Sequence, residues 1–255
     1  MNRPPSADGL VISPSPLATW VRLMVVTGAL AGSSWFVSPA PAQQVRTVND
    51  VTFVVGDGPN VALLALDWYG DAGDDESYVW AYCWTGIASS EDMLRAVAAA
   101  DPKLFLKFGT DELGNTLFGI GYNRDADDSF GISDFTQFDS DGIAVGAVGF
   151  VPAGPTDGDD LYREGWAVNA YWQQGVSHDE PFNGGRWEVG SGLARQLTTG
   201  DWESWAFSPN FLQEFYAQNP VAATLANETV VPEGNVFWLI VGWSIGYRQI
   251  RRMMT

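Results

Sequence analysis

The feature that constrains the fold most is a run of alternating aromatic and small residues at positions 77–85, Ser-Tyr-Val-Trp-Ala-Tyr-Cys-Trp-Thr. Side chains of a β-strand point alternately to its two faces, so this run predicts a strand with one aromatic face and one small-residue face. The aromatic face carries Tyr78, Trp80, Tyr82 and Trp84, here called the aromatic ladder. Two interpretations are open: the ladder is a wall of the core, or it is a platform on which a ligand stacks.

The segments beside the ladder predict a hairpin and a helix. The near-continuous apolar run at positions 61–68 is typical of a strand covered on both faces, and we expect it to pair with the ladder strand. Ser89 or Ser90 is a suitable N-cap, and Asp101-Pro102 ends the segment, so a helix is predicted over residues 90–100. Because this helix is rich in alanine, we expect it to pack on the small-residue face and leave the aromatics to meet an opposing sheet.

The remaining pattern predicts a mainly β domain, either β-sandwich-like or mixed α+β, with one short amphipathic helix at about residues 90–100. Alternating apolar residues at positions 103–108 and the apolar run at positions 117–122 predict a second hairpin. The segment at positions 162–173, which contains Trp166, Tyr171 and Trp172, could be a strand or a short helix. The later tryptophan-bearing strands, among them residues 201–207, are expected to form the sheet that opposes the ladder.

Residues 1–42 have the layout of a signal peptide. Arg22 precedes an apolar run at positions 23–37, and Ala40 and Ala42 stand in the spacing of a small-residue cleavage site. A signal anchor that stays attached is the alternative. After removal of this segment, we expect residues 43–229 to form a single β-rich extracytoplasmic domain.

The last residues, 230–255, have the layout of a sorting tail: a Pro-Glu pair, an apolar stretch at positions 236–247 and an arginine cluster. A partly buried C-terminal helix is the alternative. The layout resembles the PEP-CTERM sorting signal of exported bacterial proteins, although Gly234 stands where the family has a second proline. The resemblance implies a transient inner-membrane anchor and processing by an exosortase-type enzyme, after a signal peptidase has acted at the other end. The matching residues are Pro232, Glu233, Arg248, Arg251 and Arg252.

The middle of the chain is similar to one group of PEP-CTERM proteins. The similarity includes Asp67-Trp68, the ladder, the segment Ala99-Ala-Asp-Pro102 and the segment Gly119-Ile-Gly-Tyr122. That group has no assigned activity, so the similarity implies a place at the cell surface or outside the cell and no particular chemistry.

Charge and composition exclude several functions. The formal net charge of −18 argues against nucleic acid and against anionic membrane surfaces, so we expect membrane contact only through the terminal segments. Cys83 is the only cysteine, which excludes an intramolecular disulfide. His178 is the only histidine, which excludes zinc sites built on several imidazoles. A Ser-His-Asp triad would have to use His178, which we interpret as a solvated loop residue.

One acidic loop has the spacing of a calcium site. Its oxygen-bearing side chains occupy positions 1, 3, 5, 7 and 12 of a twelve-residue loop, which is how calcium loops deliver ligands. Asp128 at the sixth position departs from the usual glycine, and a hydrated acidic turn is the alternative. The candidate calcium ligands are Asn123, Asp125, Asp127, Ser129 and Asp134.

Tryptophans beside carboxylates are typical of carbohydrate-binding surfaces. If the ladder is a platform, its candidate residues for an extracellular polysaccharide are Trp68, Trp80, Trp84, Asp67 and Asp71. No particular carboxylate pair stands out for glycoside hydrolysis. We therefore expect an exported cell-surface or extracellular-matrix protein without catalytic activity. A carbohydrate-binding module on the cell surface is the main alternative, and a secreted glycoside hydrolase is the weaker one.

Overall fold

The computed structural model describes residues 43–68, 76–111, 114–125, 130–146, 153–165, 170–211 and 215–224. This part of the chain is mainly β with one α-helix, which confirms the predicted fold class. The helix is α1 (Ser90–Ala100). The strands are β1 (Val54–Gly56), β2 (Asn60–Asp67), β3 (Ser77–Trp84), β4 (Leu104–Asp111), β5 (Gly114–Tyr122), β6 (Gln137–Phe138), β7 (Ala144–Val145), β8 (Leu161–Glu164), β9 (Tyr171–Ser177), β10 (Glu188–Val189), β11 (Trp202–Ser208) and β12 (Val221–Ala222).

The larger sheet is mixed and has the strand order β1-β3-β2-β11-β9-β10, with β12 also paired to β3. Strands β2 and β3 form the predicted antiparallel hairpin, in which Leu64 lies opposite Trp80. Strand β2 also pairs in parallel with β11, so that Leu64 lies opposite Glu203. The apolar run of β2 is therefore central in the sheet, as its composition predicts.

The smaller sheet has the order β4-β5-β8 and contains the second predicted hairpin, β4–β5. Helix α1 begins where its sequence indicates, because the Ser89 side chain accepts a hydrogen bond from the Asp92 backbone N–H while the Asp92 carboxylate accepts from the Ser89 N–H. Asp101 is the residue that caps its C-terminus. In the described part of the chain, no helix is long and apolar enough to cross a membrane.

The main core lies between the aromatic face of the larger sheet on one side and α1 with the β4–β5–β8 sheet on the other. It joins Trp80 and Trp84 to Met93 and Leu94 of α1 and to Leu106 of β4. The predicted position of the helix is therefore wrong, since α1 packs on the aromatic face of β3. The bulky Met93 and Leu94 fill the space beside the indoles, which the alanines alone would leave open.

The small-residue face of the larger sheet has its own, smaller core. There Val79 and Ala81 meet Leu63, Val45 and Trp202, with partly buried residues of the connecting segments around them. The expected opposing sheet is also wrong, because β9 and β11 pair into the same sheet as the ladder. The opposing layer is supplied by α1 and by the leucine-rich hairpin β4–β5.

Candidate functional site

The four described residues of the proposed sugar platform are all buried. Trp80 has no exposed surface, and Trp68, Trp84 and Asp67 are almost fully enclosed. Asp71 lies outside the described residues. A sugar stacks on an accessible ring face, and these three indoles offer none in the folded domain. The geometry therefore supports the interpretation of the ladder as a core wall and corrects the platform hypothesis for Trp68, Trp80, Trp84 and Asp67.

Hydrogen bonds hold two of these indoles in the core. Trp80 Nε1 donates to Asp101 Oδ2 at 3.0 Å, which ties β3 to the end of α1. Trp68 Nε1 donates to the Ile120 carbonyl oxygen at 2.9 Å and so ties the larger sheet to β5. Burial raises the pKa of Asp101, although hydrogen bonds from the Lys103 N–H and the Trp80 indole work against that rise.

The five expected calcium ligands have different outcomes in the structure. Asn123 and Asp125 are described, whereas Asp127 and Ser129 lie outside the described residues. Asp134 Oδ2 is 2.6 Å from the buried ammonium group of Lys107. An ammonium at that distance repels a divalent cation, so Asp134 is corrected from a calcium ligand to one member of an ion pair. No group of three or more potential metal ligands of the His, Cys, Asp and Glu types occurs among the residues described.

Lys107 is the centre of a buried ionic network, here called the lysine cluster: Lys107, Asp134, Tyr162 and Glu164. Lys107 Nζ lies 3.0 Å from Glu164 Oε1, and the Tyr162 hydroxyl donates to Glu164 Oε2 at 2.8 Å. Burial raises the pKa of Glu164 even against the hydrogen bonds from Tyr162 and Lys107. Burial acts in the same direction on Asp134, but the hydrogen bonds from Lys107 and Thr136 outweigh it and lower the pKa of Asp134. This cluster fixes a loop to the outer face of the smaller sheet.

A second buried carboxylate, Glu203, faces the main core from β11. Its Oε2 accepts from the Ser90 hydroxyl at 2.6 Å, and its Oε1 accepts from Trp205 Nε1 at 2.8 Å. Burial raises the pKa of Glu203, while the hydrogen-bonded groups and Arg195 act in the opposite direction. The Ser90 hydroxyl also accepts from Gln174 Nε2 at 2.9 Å, so the network joins α1, β9 and β11.

His178 is an exposed loop residue, as interpreted from the sequence, but it has a specific partner. Its Nδ1 lies 2.8 Å from Oδ1 of the buried Asp201. The other oxygen of Asp201, Oδ2, accepts hydrogen bonds from the Arg195 guanidinium group and from the Thr198 N–H. Ser177, the serine beside His178, donates to the Asp179 carbonyl oxygen instead. The geometry therefore shows a histidine oriented by an aspartate and gives no serine to complete a triad in the described part of this loop.

A cavity of about 410 Å³ opens at the start of β9 and is here called the β9 cleft. It lies where β9 meets the beginning of β5, the loop after β10 and the end of β11. The described residues that line it carry no charge. Its polar and aromatic lining includes Asn115, Thr116, Tyr171, Gln173, Gly192 and Phe211.

Gln173 is one of two buried polar side chains that line the β9 cleft, the other being Gln174. Its Oε1 accepts from the Tyr171 hydroxyl at 2.6 Å and from the Phe215 N–H at 3.3 Å. A backbone N–H is only a donor, so the oxygen of the amide must face Phe215, and the nitrogen takes the other direction. Gln173 Nε2 donates to none of the residues that the structure describes.

The loop wall of the β9 cleft is braced from the core. The side-chain oxygen Oε1 of Gln174 accepts from the Gly192 N–H at 2.6 Å, and the backbone carbonyl oxygen of Gln174 accepts from the Gly190 N–H at 2.9 Å. A Cβ at position 190 would overlap the Gln174 side chain, which explains a glycine there. The wall is thus part of the same network that holds Ser90 and Glu203.

Sequence reasoning missed the residues of the β9 cleft. It noted Tyr171 only as one aromatic of a strand or short helix, and it did not single out Gln173, Asn115 or Phe211. Nothing local marks them, because the cleft forms only when β5, β9 and the end of β11 come together. The proposed sorting residues Pro232, Glu233, Arg248, Arg251 and Arg252 lie outside the described residues.

Comparison of the chain with protein-family models, with curated proteins and with solved structures found no match.

Proposed function

We propose that the chain is an exported cell-surface or extracellular-matrix protein without catalytic activity, processed by a signal peptidase and by an exosortase-type enzyme. The observation that carries the proposal is the C-terminal order of Pro232-Glu233, an apolar stretch and the arginines up to Arg252. The apolar segment behind Arg22 and the small residues before Gln43 support export at the other end.

The described domain is compatible with this role. Its buried charges at Lys107, Asp201 and Glu203 are paired with other side chains of the domain, and their partners fix strands, loops and the helix to one another. Such networks specify a structure, and a domain with a single cysteine has no disulfide to do so.

Mass spectrometry of the protein from its native host tests the sorting proposal. We expect a new N-terminus at Gln43 and a C-terminus near Pro232-Glu233. A double variant, Pro232→Ala with Glu233→Ala, should retain the tail, whereas Glu228→Ala, an acidic position just upstream, should be processed normally. An intact Thr255 terminus in the unmodified protein would contradict the proposal.

A second candidate function, carbohydrate binding at the cell surface, is supported by the β9 cleft. The cleft combines aromatic rings with amide and hydroxyl groups, which together match the apolar faces and the hydroxyls of a sugar. Retention of the purified protein on an insoluble polysaccharide, without any shortening of the chains, is the expected result. Release of new reducing ends would instead favour a hydrolase.

A further inference from the structure

The side-chain amide of Gln173 indicates what the β9 cleft binds. Gln173 is only 3% exposed, lines the cleft, and uses its oxygen for Tyr171 and Phe215. The oxygen fixes the orientation of the amide, so the nitrogen, which is only a donor, keeps a defined position at the cleft. Gln173 Nε2 therefore offers a fixed donor to an oxygen atom of an incoming molecule.

Aromatic surface lies on the same cleft. Phe211 is 47% exposed, and its ring is stacked on that of the half-buried Tyr171, with 5.4 Å between the ring centroids and 21° between the planes. A stacked pair holds its rings in a defined orientation, so the exposed part of Phe211 is a pre-positioned apolar surface. Asn115 and Thr116 add polar groups from β5.

The lack of charged side chains in the lining favours a neutral ligand over an anionic one. In a chain with a net charge of −18, the described lining of this cleft has neither an acidic nor a basic side chain. An anionic ligand would find no cation to pair with and would enter against the field of the whole chain. The volume of about 410 Å³ is within the range of about 300–1,000 Å³ for small-molecule sites.

From these observations we propose that the β9 cleft binds a mono- or disaccharide unit of a neutral polysaccharide. Gln173 Nε2 donates to a sugar oxygen, and Phe211 with Tyr171 packs against the apolar face of the ring. This inference rests on the second candidate function and deepens it, because it names the site and the class of glycan.

Affinity gel electrophoresis of the purified protein tests the inference. The gels contain neutral dextran, hydroxyethyl cellulose or galactomannan, and parallel gels contain anionic alginate or polygalacturonate. We expect retardation by at least one neutral polymer and none by the anionic ones. Phe211→Ala should weaken the apparent affinity by about tenfold or more, as expected when a central aromatic contact is removed. Phe135→Ala is the matched control, because Phe135 is an exposed phenylalanine that does not line the cleft.

A second variant, Gln173→Glu, keeps the oxygen that faces Phe215 and removes the donor, so we expect a loss of about tenfold here too. Circular dichroism checks the fold of each variant, and Phe211→Ala decides the question if Gln173→Glu does not fold. Wild-type protein that no polysaccharide retards would refute the carbohydrate-binding function together with the inference. Wild-type protein that is retarded equally with Phe211→Ala would leave that function standing and refute the β9 cleft as its site. Preferential retardation by the anionic polymers would refute the neutral class of ligand.

Discussion

Replacing Lys107 by methionine tests whether the lysine cluster is an essential part of the fold. Lys107 Nζ lies 2.6 Å from Asp134 and 3.0 Å from Glu164, and its side chain has no exposed surface. Methionine keeps an unbranched apolar stem and removes the charge. The variant therefore leaves two carboxylates near each other without their cation.

The expected magnitude follows from the distances and the burial. At an effective dielectric constant of about 20, opposite unit charges 3.0 Å apart attract by about 5.5 kcal/mol, and removal of one partner of a buried pair costs about 3–5 kcal/mol. We expect Lys107→Met to lower the free energy of unfolding by about 4 kcal/mol at pH 7. For a domain of this size that corresponds to a fall in melting temperature of about 8–16 °C.

The effect should depend on pH in a defined direction. Without the ammonium group, burial and mutual repulsion raise the pKa values of Asp134 and Glu164 above those of the unfolded chain. The folded variant then binds protons more readily than its unfolded form, so its deficit relative to wild type shrinks as the pH falls from 7 to 5. Urea denaturation at both pH values, monitored by tryptophan fluorescence, measures this deficit in the free energy of unfolding.

Arg95→Met is the control for loss of a positive charge. Arg95 is 42% exposed and pairs with Glu91 one helical turn away, an arrangement whose contribution is below about 1 kcal/mol. The double variant Lys107→Met with Glu164→Gln should recover part of the loss, because one of the two stranded charges is gone. A loss no larger than that of Arg95→Met, or a deficit that does not shrink on acidification, would refute the reasoning.

Three further predictions concern the core and the acidic loop. Trp80→Phe removes the donor to the buried Asp101 and should cost about 1–3 kcal/mol more than Trp84→Phe in urea unfolding; equal losses would count against a role for that hydrogen bond. Gly119→Ala places a methyl group against the tyrosine of the lysine cluster and should cost about 1–3 kcal/mol, whereas Gly154→Ala, in open space, should be nearly neutral. Millimolar Ca²⁺ should leave the melting temperature unchanged, since an ammonium group holds the last carboxylate of the acidic loop; a rise that EDTA reverses would show the opposite.

The elements that could be predicted are those decided by neighbouring residues. The cap at Ser89 and the break at Asp101 act within a few residues of α1, and the two hairpins join strands that follow each other in the chain. The parallel pairing of β2 with β11 joins segments more than a hundred residues apart, and no local pattern indicates it. For the same reason the aromatic face of β3 could be recognised, but not the elements that cover it.

The lysine cluster and the β9 cleft could not be predicted from the sequence, because the burial of their polar residues depends on partners that are distant in the chain. Lys107 alternates with the buried Leu104 and Leu106, so the pattern places it on the open face of a half-buried strand. A loop from a later part of the chain then covers that face and brings Asp134 to it. Gln173 is a comparable case, because its partner Phe215 comes from beyond β11.

The β9 cleft is shaped by the core rather than by its own loop, and this bears on how it would bind. The Gly192 N–H is held by Gln174, whose amide donates to Ser90, and Ser90 donates to the buried Glu203. Each group in this series has its partner inside the domain, so the loop wall is already ordered before a ligand arrives. A ligand of a preformed cleft does not have to order that wall, which removes a cost that flexible sites carry. We therefore expect this cleft to bind a single sugar unit measurably, even though only a few polar groups line it.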